Sequence, residues 1–574
     1  MITEENIPSV RGASQAYGLS FTPGTWIDNI QITKGAGSVV NGYESISGQI
    51  NTELIKPCDD IPFFLNFYGS TDSRYELNTH FNKKISNKWA TSLFVHGNAR
   101  VQKNDMNDDM FLDNPLGKQI NIANRWHYSN SETGWVSFIN FRYMNDEKQT
   151  GEIDFDPNRD RLTTNFWGSE INTERFDFSS KIGYVFKDMP YQSIGFQNAY
   201  NSHNQESYFG LNQYNIKQKS YYSNLIFNSI IENTMNKFST GFNFAYDNYG
   251  EFVNLKDYSR TDNSIGTFFE YTYDNTSNFS VILGGRVDNH NRLGTFFTPR
   301  LHIRYNPWEK GVIRFSAGRG IRSANIFAEN QQLFGSSRTF EILNSNGKIY
   351  GLNPEIAWNY GLSFSQKFLL FNKNGDIGFD FYRTDFQNQV VVDLYQGPQK
   401  VLFYNLNGKS FANSLQFEFN YELAKHFNLR TAYKYYDIQT DYQYVTQERP
   451  LQAKHRFFGN LEYQTHLLDD GKQWKFDFTI NWLGKQRLPT TISNSAIDSM
   501  PDYSPSFSVM NMQISRIFSS TFEIYVGGEN IGNYKQEKAI LGSSNPFGSN
   551  FETSIIYAPI FGQMYYAGLR YKIK

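Results

Sequence analysis

The chain has 574 residues and a formal net charge of −2, with 39% hydrophobic, 19% charged and 17% aromatic residues. The near-zero charge gives no electrostatic case for binding nucleic acid or an anionic surface. The single cysteine, Cys58, excludes a disulfide scaffold, and no apolar run reaches the roughly 18 residues of a membrane-spanning helix.

Residues 1–57 are predicted to form a compact unit. The stretch PGTWIDNIQITKGAGSVVNGYESISGQINTELIKP, residues 23–57, reads as a strand, a tight turn, a short helix or loop, and a second strand. Its closely spaced glycines allow the backbone to turn and pack in a confined space. The opening residues MITEE are acidic and have no apolar core of a signal peptide after them.

From about residue 61 onward the dominant hydrophobic period is two. In WKFDFTINW, residues 474–482, large apolar side chains alternate with polar ones, as they do when successive side chains of a strand point to opposite faces. A soluble antiparallel sandwich is one explanation. The apolar faces are rich in aromatics, however, and the segments exceed the usual ~5–6 residues of soluble strands. A membrane strand needs about 9–11 residues and aromatic girdles, so we favour a transmembrane barrel.

The pattern predicts 22 antiparallel strands, an even number. Their predicted ranges are 61–70, 73–85, 89–102, 119–130, 134–148, 172–187, 191–201, 218–231, 237–248, 263–274, 279–289, 297–305, 312–319, 356–370, 376–389, 410–423, 427–437, 455–466, 473–483, 506–518, 522–530 and 562–573.

The predicted connections alternate in length. Those after even-numbered strands are short polar turns, whereas those after odd-numbered strands are mostly long, notably 149–171, 320–355 and 531–561. Outer-membrane barrels have this asymmetry. We therefore predict an all-β fold with a closed transmembrane barrel over residues 58–574. A barrel of this size is too wide for its own side chains to fill, so it is either a pore or plugged, and residues 1–57 are the segment available to lie in the lumen as a partial plug.

The chain resembles TonB-dependent outer-membrane receptors. The resemblance rests on residues 23–57 and on barrel stretches such as FFTPRLHIRYNP, YVGGENIGNY and the closing PIFGQMYYAGLRYKIK. The stretch NGYES, residues 41–45, is similar to the corresponding stretch in receptors of Bacteroidetes-type bacteria. The residues that match the family's plug motif are Pro23, Gly24, Trp26, Lys34, Gly35, Ser38, Gly42, Glu44, Gly48 and Asn51.

The resemblance implies active uptake of a scarce, large solute, most often a ferric siderophore or a similar metal chelate. It places the barrel in outer-membrane lipid of a Gram-negative bacterium, with long loops extracellular and the plug and short turns periplasmic. The implied energy source is a TonB–ExbB–ExbD complex. No cofactor is required, no nucleic acid is a partner, and no Ser/His/Asp or paired-carboxylate arrangement indicates an enzyme.

Two departures from the family pattern matter. The signal peptide, the TonB-contact segment and the first half of the plug are missing, so we expect the sequence to be a fragment or an incomplete gene model. Lys34 occupies the plug's usual Arg position, but the matching acidic positions of the barrel hold Gly361 and Gln416. We therefore expect Lys34 to pair elsewhere, for example with Glu418 or Glu529.

Two other functions stay open. The missing half-plug is compatible with a passive or uncoupled outer-membrane pore, which would conduct steadily in a planar bilayer. A plugged receptor would instead be nearly silent. A surface-binding barrel that transports nothing is the other alternative, and it predicts ligand binding without TonB-dependent uptake.

The loops contain candidate ligand and metal sites. Loops 320–355 and 531–561 are expected to contribute to the substrate site. Aromatic side chains in and near the loops are candidates for stacking on a ligand: Tyr208, Phe209, Phe334 and Phe340. In DMNDDMFLD, Asp105, Asn107, Asp109 and Asp113 occupy positions 1, 3, 5 and 9 of a calcium-loop spacing. Met110 stands where the turn prefers Gly, and a solvated polar loop is the alternative to structural Ca²⁺.

Overall fold

The computed structural model describes residues 1–343, 346–443, 445–492, 494–495 and 497–573. Most of them belong to β-strands, as the sequence predicts. One short α-helix, α1 (Pro157–Asp160), is present. Short 3₁₀ helices span Gly12–Ser14, Gly18–Ser20, Gly24–Trp26, Val39–Asn41 and Ala328–Gly335. No helix in this described part of the chain has the length and apolarity to cross a membrane.

Residues 1–57, here called the inner segment, carry a small sheet of their own. Its strands are β1 (Ile2–Glu4), β2 (Ile7–Pro8), β3 (Ile27–Lys34) and β4 (Gly48–Leu54). They are arranged β2-β1-β4-β3, with β1 parallel to β4 and the other pairs antiparallel. The predicted boundary between residues 57 and 58 lies in the connection from β4 to the first barrel strand. The interpretation of the inner segment as half of a plug stays a prediction.

The rest of the chain forms the barrel and its loops. Its strands are β5 (Phe63–Ser70), β6 (Arg74–Lys84), β7 (Trp89–Arg100), β8 (Leu116–Asn130), β9 (Trp135–Gly151), β10 (Gly168–Val185), β11 (Ser193–Phe209), β12 (Asn212–Ile231), β13 (Asn233–Val253), β14 (Lys256–Asp257), β15 (Arg260–Asp274), β16 (Phe279–His290), β17 (Gly294–Trp308), β18 (Gly311–Arg322), β19 (Thr339–Ile342), β20 (Glu355–Leu370), β21 (Lys373–Asn388), β22 (Val390–Asp393), β23 (Lys400–Asn405), β24 (Ser410–Ala424), β25 (Phe427–Asp441), β26 (Thr446–Glu448), β27 (His455–Gln464), β28 (Gln473–Leu483), β29 (Phe507–Ile517), β30 (Phe522–Glu529) and β31 (Met564–Ile573).

The barrel closes when β31 pairs antiparallel with β5. It contains 22 long strands, and the short β14 and β26 extend its edge beside β13 and β25. The predicted 22-stranded antiparallel barrel is therefore confirmed, and each of the 22 predicted strands overlaps one observed strand. A closed barrel leaves no strand edge unpaired, as lipid requires.

Connections at the two ends of the barrel differ in length. At one end every connection is short, and the longest of them covers residues 465–472. At the other end lie the long connections 323–354, 484–506 and 530–563. We call these the short-turn end and the long-loop end. Four connections at the long-loop end are short as well: 71–73, 210–211, 254–259 and 291–293.

The two faces of the barrel wall differ in polarity. On β28, Trp474 and Phe476 point outward and are 41% and 38% exposed. Asp477 and Thr479, on the other face of the same strand, accept hydrogen bonds from the Asn460 side chain at 3.0 Å. Apolar outward and polar inward side chains suit a wall between lipid and an aqueous lumen.

Two hairpins are much longer than the sequence predicts. We expected loops at 202–217 and 249–262, but β11 and β12 continue to a turn at residues 210–211, and β13 continues to Val253. Large parts of these stretches are polar, as in residues 202–207, so the period-two apolar signal weakens although the strand pairing continues. The predicted boundaries were wrong here because the pattern marks the lipid-facing part of a strand only.

The long loops fold over the barrel mouth. β19, β22 and β23 form a three-stranded sheet there. Beneath it lies an apolar cluster, here called the roof, whose buried members include Phe209, Tyr214, Phe327, Phe334, Phe403 and Phe551. Ala13 of the inner segment also belongs to this cluster. The roof therefore joins the long loops, the barrel wall and the inner segment.

Candidate functional site

A glycine-rich turn of the inner segment contacts the barrel wall closely. Gly35 has a positive φ of +84°, and a Cβ placed there would lie 2.6 Å from Ser316 Oγ. Both the conformation and the space therefore require glycine. Ser38 Oγ donates a hydrogen bond to Glu270 Oε2 at 2.8 Å and accepts one from the backbone N–H of Val40 at 3.1 Å.

Lys34, at the start of this turn, forms ion pairs with two barrel strands. Its Nζ contacts Asp380 Oδ2 and lies 3.6 Å from Glu418 Oε1. The expected partner Glu418 is thus observed, whereas no described contact joins Lys34 to Glu529. Asp380 was not foreseen, although it lies directly opposite Gln416 in the strand register. The acidic side chain missing at Gln416 is supplied by the neighbouring strand.

Glu5 anchors the other end of the inner segment. Its carboxylate pairs with Arg125 at 2.8 Å and Lys181 at 3.0 Å, and it accepts a hydrogen bond from the Leu54 backbone N–H at 2.9 Å. Burial alone would raise the pKa of Glu5, but the two cations outweigh it and lower the pKa to about 2. Glu5 is therefore a buried carboxylate that stays ionised.

Trp26 provides the main apolar contact of the inner segment with the wall. It is 1% exposed, its ring centroid lies 5.4 Å from that of Phe94, and Leu54 and Ala123 complete the cluster. Pro23 and Gly24 precede it at the start of a 3₁₀ helix. These contacts explain why an aromatic residue follows the turn at Pro23.

The remaining motif residues act inside the inner segment. Asn51 is buried and accepts hydrogen bonds from Thr3 Oγ1 at 2.9 Å and from the Asn6 backbone N–H at 2.7 Å. The Gly48 carbonyl accepts a hydrogen bond from Ser45 Oγ at 3.1 Å. Gly42 ends the 3₁₀ helix Val39–Asn41 with a φ of +124°. These residues hold the turn together, and their role in plugging stays a prediction.

A polar cavity of about 300 Å³ lies between the inner segment and the wall, next to the roof. Arg11 lines it and pairs with Asp247 at 2.6 Å and with Glu44 at 3.9 Å. Its lining also includes the charged and aromatic residues Tyr43, Tyr249, Asp262, His290 and Arg322. Guanidinium, carboxylate, imidazole and phenol groups together suit a polar ligand rather than an apolar one.

Only one of the two predicted ligand loops reaches this cavity. Arg322, Ser323 and Asn325 belong to the loop predicted at 320–355 and line the cavity. No residue of 531–561 is among its lining residues. That loop packs instead through Leu541 and Ile555 against Leu488. The prediction that both loops bind substrate stays a prediction.

The loop aromatics do not present free faces in this structure. Phe334 is 1% exposed, and its ring stacks on Phe209 and on Tyr214 with centroids 5.8 and 5.1 Å apart. Phe340 packs against Phe334 at 4.6 Å, and Tyr208 is buried. Phe209, Phe334 and Phe340 are thus in contact with other rings, and the Tyr208 hydroxyl donates a hydrogen bond to Glu170 at 2.7 Å. Stacking of these rings on a ligand stays a prediction.

The predicted calcium loop uses its carboxylates on its own backbone. Asp105 accepts hydrogen bonds from the N–H groups of Asp109 and Met110 at 3.2 and 2.9 Å, and Asp113 accepts one from Met106 at 2.7 Å. The Asn107 amide donates to Asp109 at 2.9 Å. Among the residues the structure describes, no group of three or more His, Cys, Asp or Glu side chains could hold a metal ion. Calcium binding stays a prediction.

The protection of loop 101–115 from hydrogen exchange is expected to depend on pH. Burial, reinforced by Asp105 and Asp109, raises the pKa of Asp113 to about 6. A raised carboxyl pKa contributes stability that is complete below the ordinary value of 3.8 and is lost as pH rises through about 6. Hydrogen exchange of residues 101–115, corrected for intrinsic rates, should therefore quicken as pH rises from 3.8 to about 6 and level off above it.

The Asp113→Asn variant should lack this pH dependence. If Ca²⁺ binds the loop, saturating Ca²⁺ should also abolish the dependence in the unmodified protein, because the cation favours ionised carboxylates. An exchange rate that is independent of pH without Ca²⁺ would contradict the assignment to Asp113.

The sequence matches the family model described as TonB dependent receptor-like, beta-barrel, over residues 23–531. The chain belongs to this family. The receptor is accordingly an outer-membrane receptor or transporter.

Solved structures share the fold at low sequence identity. The siderophore receptor PirA from Acinetobacter baumannii is 13% identical, with a TM-score of 0.74, over 100% of this chain and 90% of that one. A mutant of the ferric enterobactin receptor PfeA from Pseudomonas aeruginosa is 11% identical, with a TM-score of 0.73, over 100% and 90%. The siderophore receptor PiuA from Acinetobacter baumannii is 14% identical, with a TM-score of 0.68, over 95% and 86%. A search of curated proteins finds no match.

Proposed function

We propose that this receptor actively imports a scarce, large solute, namely a ferric siderophore or a similar metal chelate. The observation that carries the proposal is the polar cavity between the inner segment and the wall, next to the roof. A ligand bound there touches the part of the molecule that has to move for transport. The solved relatives named as siderophore or ferric enterobactin receptors support this substrate class.

The orientation and partners follow from the same proposal. The long-loop end faces the exterior, and the inner segment and short turns face the periplasm. Residues 1–57 act as the C-terminal half of a plug, and a TonB–ExbB–ExbD complex supplies the energy in the full-length protein. The ion pairs of Lys34 and Glu5 with the wall support this role, because they hold the inner segment through contacts that can be exchanged.

Uptake by cells tests the proposal. Cells that express the receptor should accumulate radioactive iron from at least one ferric chelate in a panel, and only when TonB is present. The Arg322→Ala variant, which alters the cavity lining, should reduce uptake at least tenfold (about 1.4 kcal/mol of binding). Lys118→Ala, which removes a lipid-side cation paired with Glu147 at 3.0 Å, is the matched control. Accumulation that does not require TonB would contradict active import.

A passive pore is the second candidate, and a second cavity favours it. This cavity, of about 570 Å³, lies along the inner wall of β27 to β31. It is lined by Lys475, Asp477, Arg570 and other polar side chains, and no residue of the inner segment lines it. A polar passage beside the inner segment would conduct ions without energy input.

A further inference from the structure

Arg300 is a buried cation without a counter-ion contact. It lies on β17, faces the lumen and is 3% exposed. None of its three side-chain nitrogens has a hydrogen-bond partner, and no salt bridge involves it among the residues that the structure describes. Burying an unpaired guanidinium costs free energy, and docking of the inner segment over Arg300 has to overcome this cost.

A carboxylate lies in the same row of the barrel wall. Glu270 on β15 pairs in register with Gly284 on β16, and Gly284 pairs with Arg300 on β17. The backbones of Glu270 and Arg300 are thus two strand spacings apart, roughly 10 Å. Gly284 has no side chain, so nothing from the wall itself separates the two charged groups.

The inner segment is what separates them. Val39 is fully buried, and both of its methyl groups lie 3.0 Å from the position that a Cβ on Gly284 would take. On the other side of Arg300, a Cβ on Gly318 would overlap the side chain of Ala36. Val39 therefore covers Gly284, whereas Gly318 is covered by Ala36 together with Arg300 Cδ, so the docked Arg300 side chain leans over Gly318 and away from Glu270. Meanwhile Ser38 Oγ donates to Glu270 at 2.8 Å and takes the place of a cation.

We propose that Arg300 and Glu270 form an ion pair across Gly284 when the turn at residues 35–39 leaves the wall, and that this pair favours release of the inner segment. In the docked state Arg300 is unpaired and Glu270 bonds to Ser38. In the released state the two charges meet over the space that Val39 occupied. The wall thus offsets part of the cost of undocking, independently of Lys34 and Glu5. This inference deepens the proposed function, because transport requires the inner segment to move.

Hydrogen exchange of the purified receptor in detergent tests the proposal without ligand or TonB, so its outcome is independent of the uptake experiment. The readout is the exchange rate of the peptide covering residues 35–41, whose amides exchange when the turn undocks. Arg300→Met removes the buried charge and the released-state pair together. We expect this variant to exchange about tenfold to a hundredfold more slowly, since replacing buried charge by apolar volume is neutral to stabilising.

Three further variants make the result specific. Arg304→Met removes an exposed guanidinium from the same strand and should leave the exchange rate unchanged. Arg300→Lys retains the cation and should exchange within a few-fold of the unmodified receptor. Glu270→Gln should slow exchange more when Arg300 is present than in the R300M variant, since the Arg300–Glu270 pair can form only when both residues are present.

The overturning results are equally definite. Faster exchange in R300M would show that Arg300 stabilises the docked state. An equal effect of E270Q in both backgrounds would show that no pair forms on release. A folded barrel that is not heated before electrophoresis migrates differently from the heat-unfolded chain, and this difference establishes that each variant is folded. The exchange rate of β18 peptides serves as an internal reference.

Discussion

Replacing Glu5 by glutamine is expected to weaken docking of the inner segment by about 3–5 kcal/mol, the range for removing one partner of a buried ion pair. Arg125 is 1% exposed and Lys181 is largely buried, so neither cation regains full hydration when the carboxylate is lost. Glutamine retains an oxygen for the Leu54 N–H, which isolates the effect of charge. Hydrogen exchange of residues 1–10 and 48–57 should quicken by at least a hundredfold.

The same carboxylate predicts the pH dependence of docking. Because the pKa of Glu5 is lowered from 4.5 to about 2, its contribution is complete above pH 4.5 and is lost as pH falls toward 2. The unmodified protein should therefore release its inner segment progressively in that window, whereas E5Q should show no further loss there. Glu53→Gln, on the exposed side of β4, is the matched control. Protection in E5Q equal to that of the unmodified protein would refute the anchoring role.

Deleting residues 1–57 is expected to raise the conductance of the barrel in a planar bilayer several-fold or more. The inner segment contacts the wall from β7 through β24, by way of Phe94, Asp247 and Glu418 among others. Its removal leaves a lumen too wide for wall side chains to fill. Steady single-channel steps should replace the low or absent current of the intact receptor.

The size of the current in the intact receptor decides between the two proposed functions. A nearly silent receptor that conducts after deletion supports import through a closed barrel. A steady current that the deletion leaves unchanged would mean that the passage beside β27 to β31 already spans the barrel, and would favour the passive pore. Lys34→Glu, which places a carboxylate against Asp380, should give an intermediate conductance in the first case.

The barrel was predictable because lipid imposes a strict pattern. Outward residues such as Trp474 and Phe476 have to be apolar while Asp477 faces water, so the strand count and the alternation of the connections can be read directly. The pattern fails where strands leave the lipid. Residues 202–207 of β11 are all polar, so the sequence carries no apolar period there although the strand continues.

The site was less predictable because it depends on register. Asp380 pairs with Lys34 from a strand beside the expected position, and only the alignment of Asp380 with Gln416 reveals this. The burial of Phe334 and Phe340 depends on how several loops pack together, which alternation does not encode. Trp26, by contrast, could be identified from its motif, since an apolar anchor beside a tight turn has a local signature.

The barrel wall differs in height around its circumference because its strands differ in length. β12 and β13 have 20 and 21 residues, whereas β30 and β31 have 8 and 10. With about 3.3 Å per residue and the usual tilt, one flank stands roughly 30 Å taller than the other. The tall flank is a continuous hydrogen-bonded sheet and resists bending, whereas the low flank carries irregular loops. The tall flank therefore forms a fixed rim of the mouth, whereas the height of the rim at the low flank is set by how its loops fold, among them 530–563.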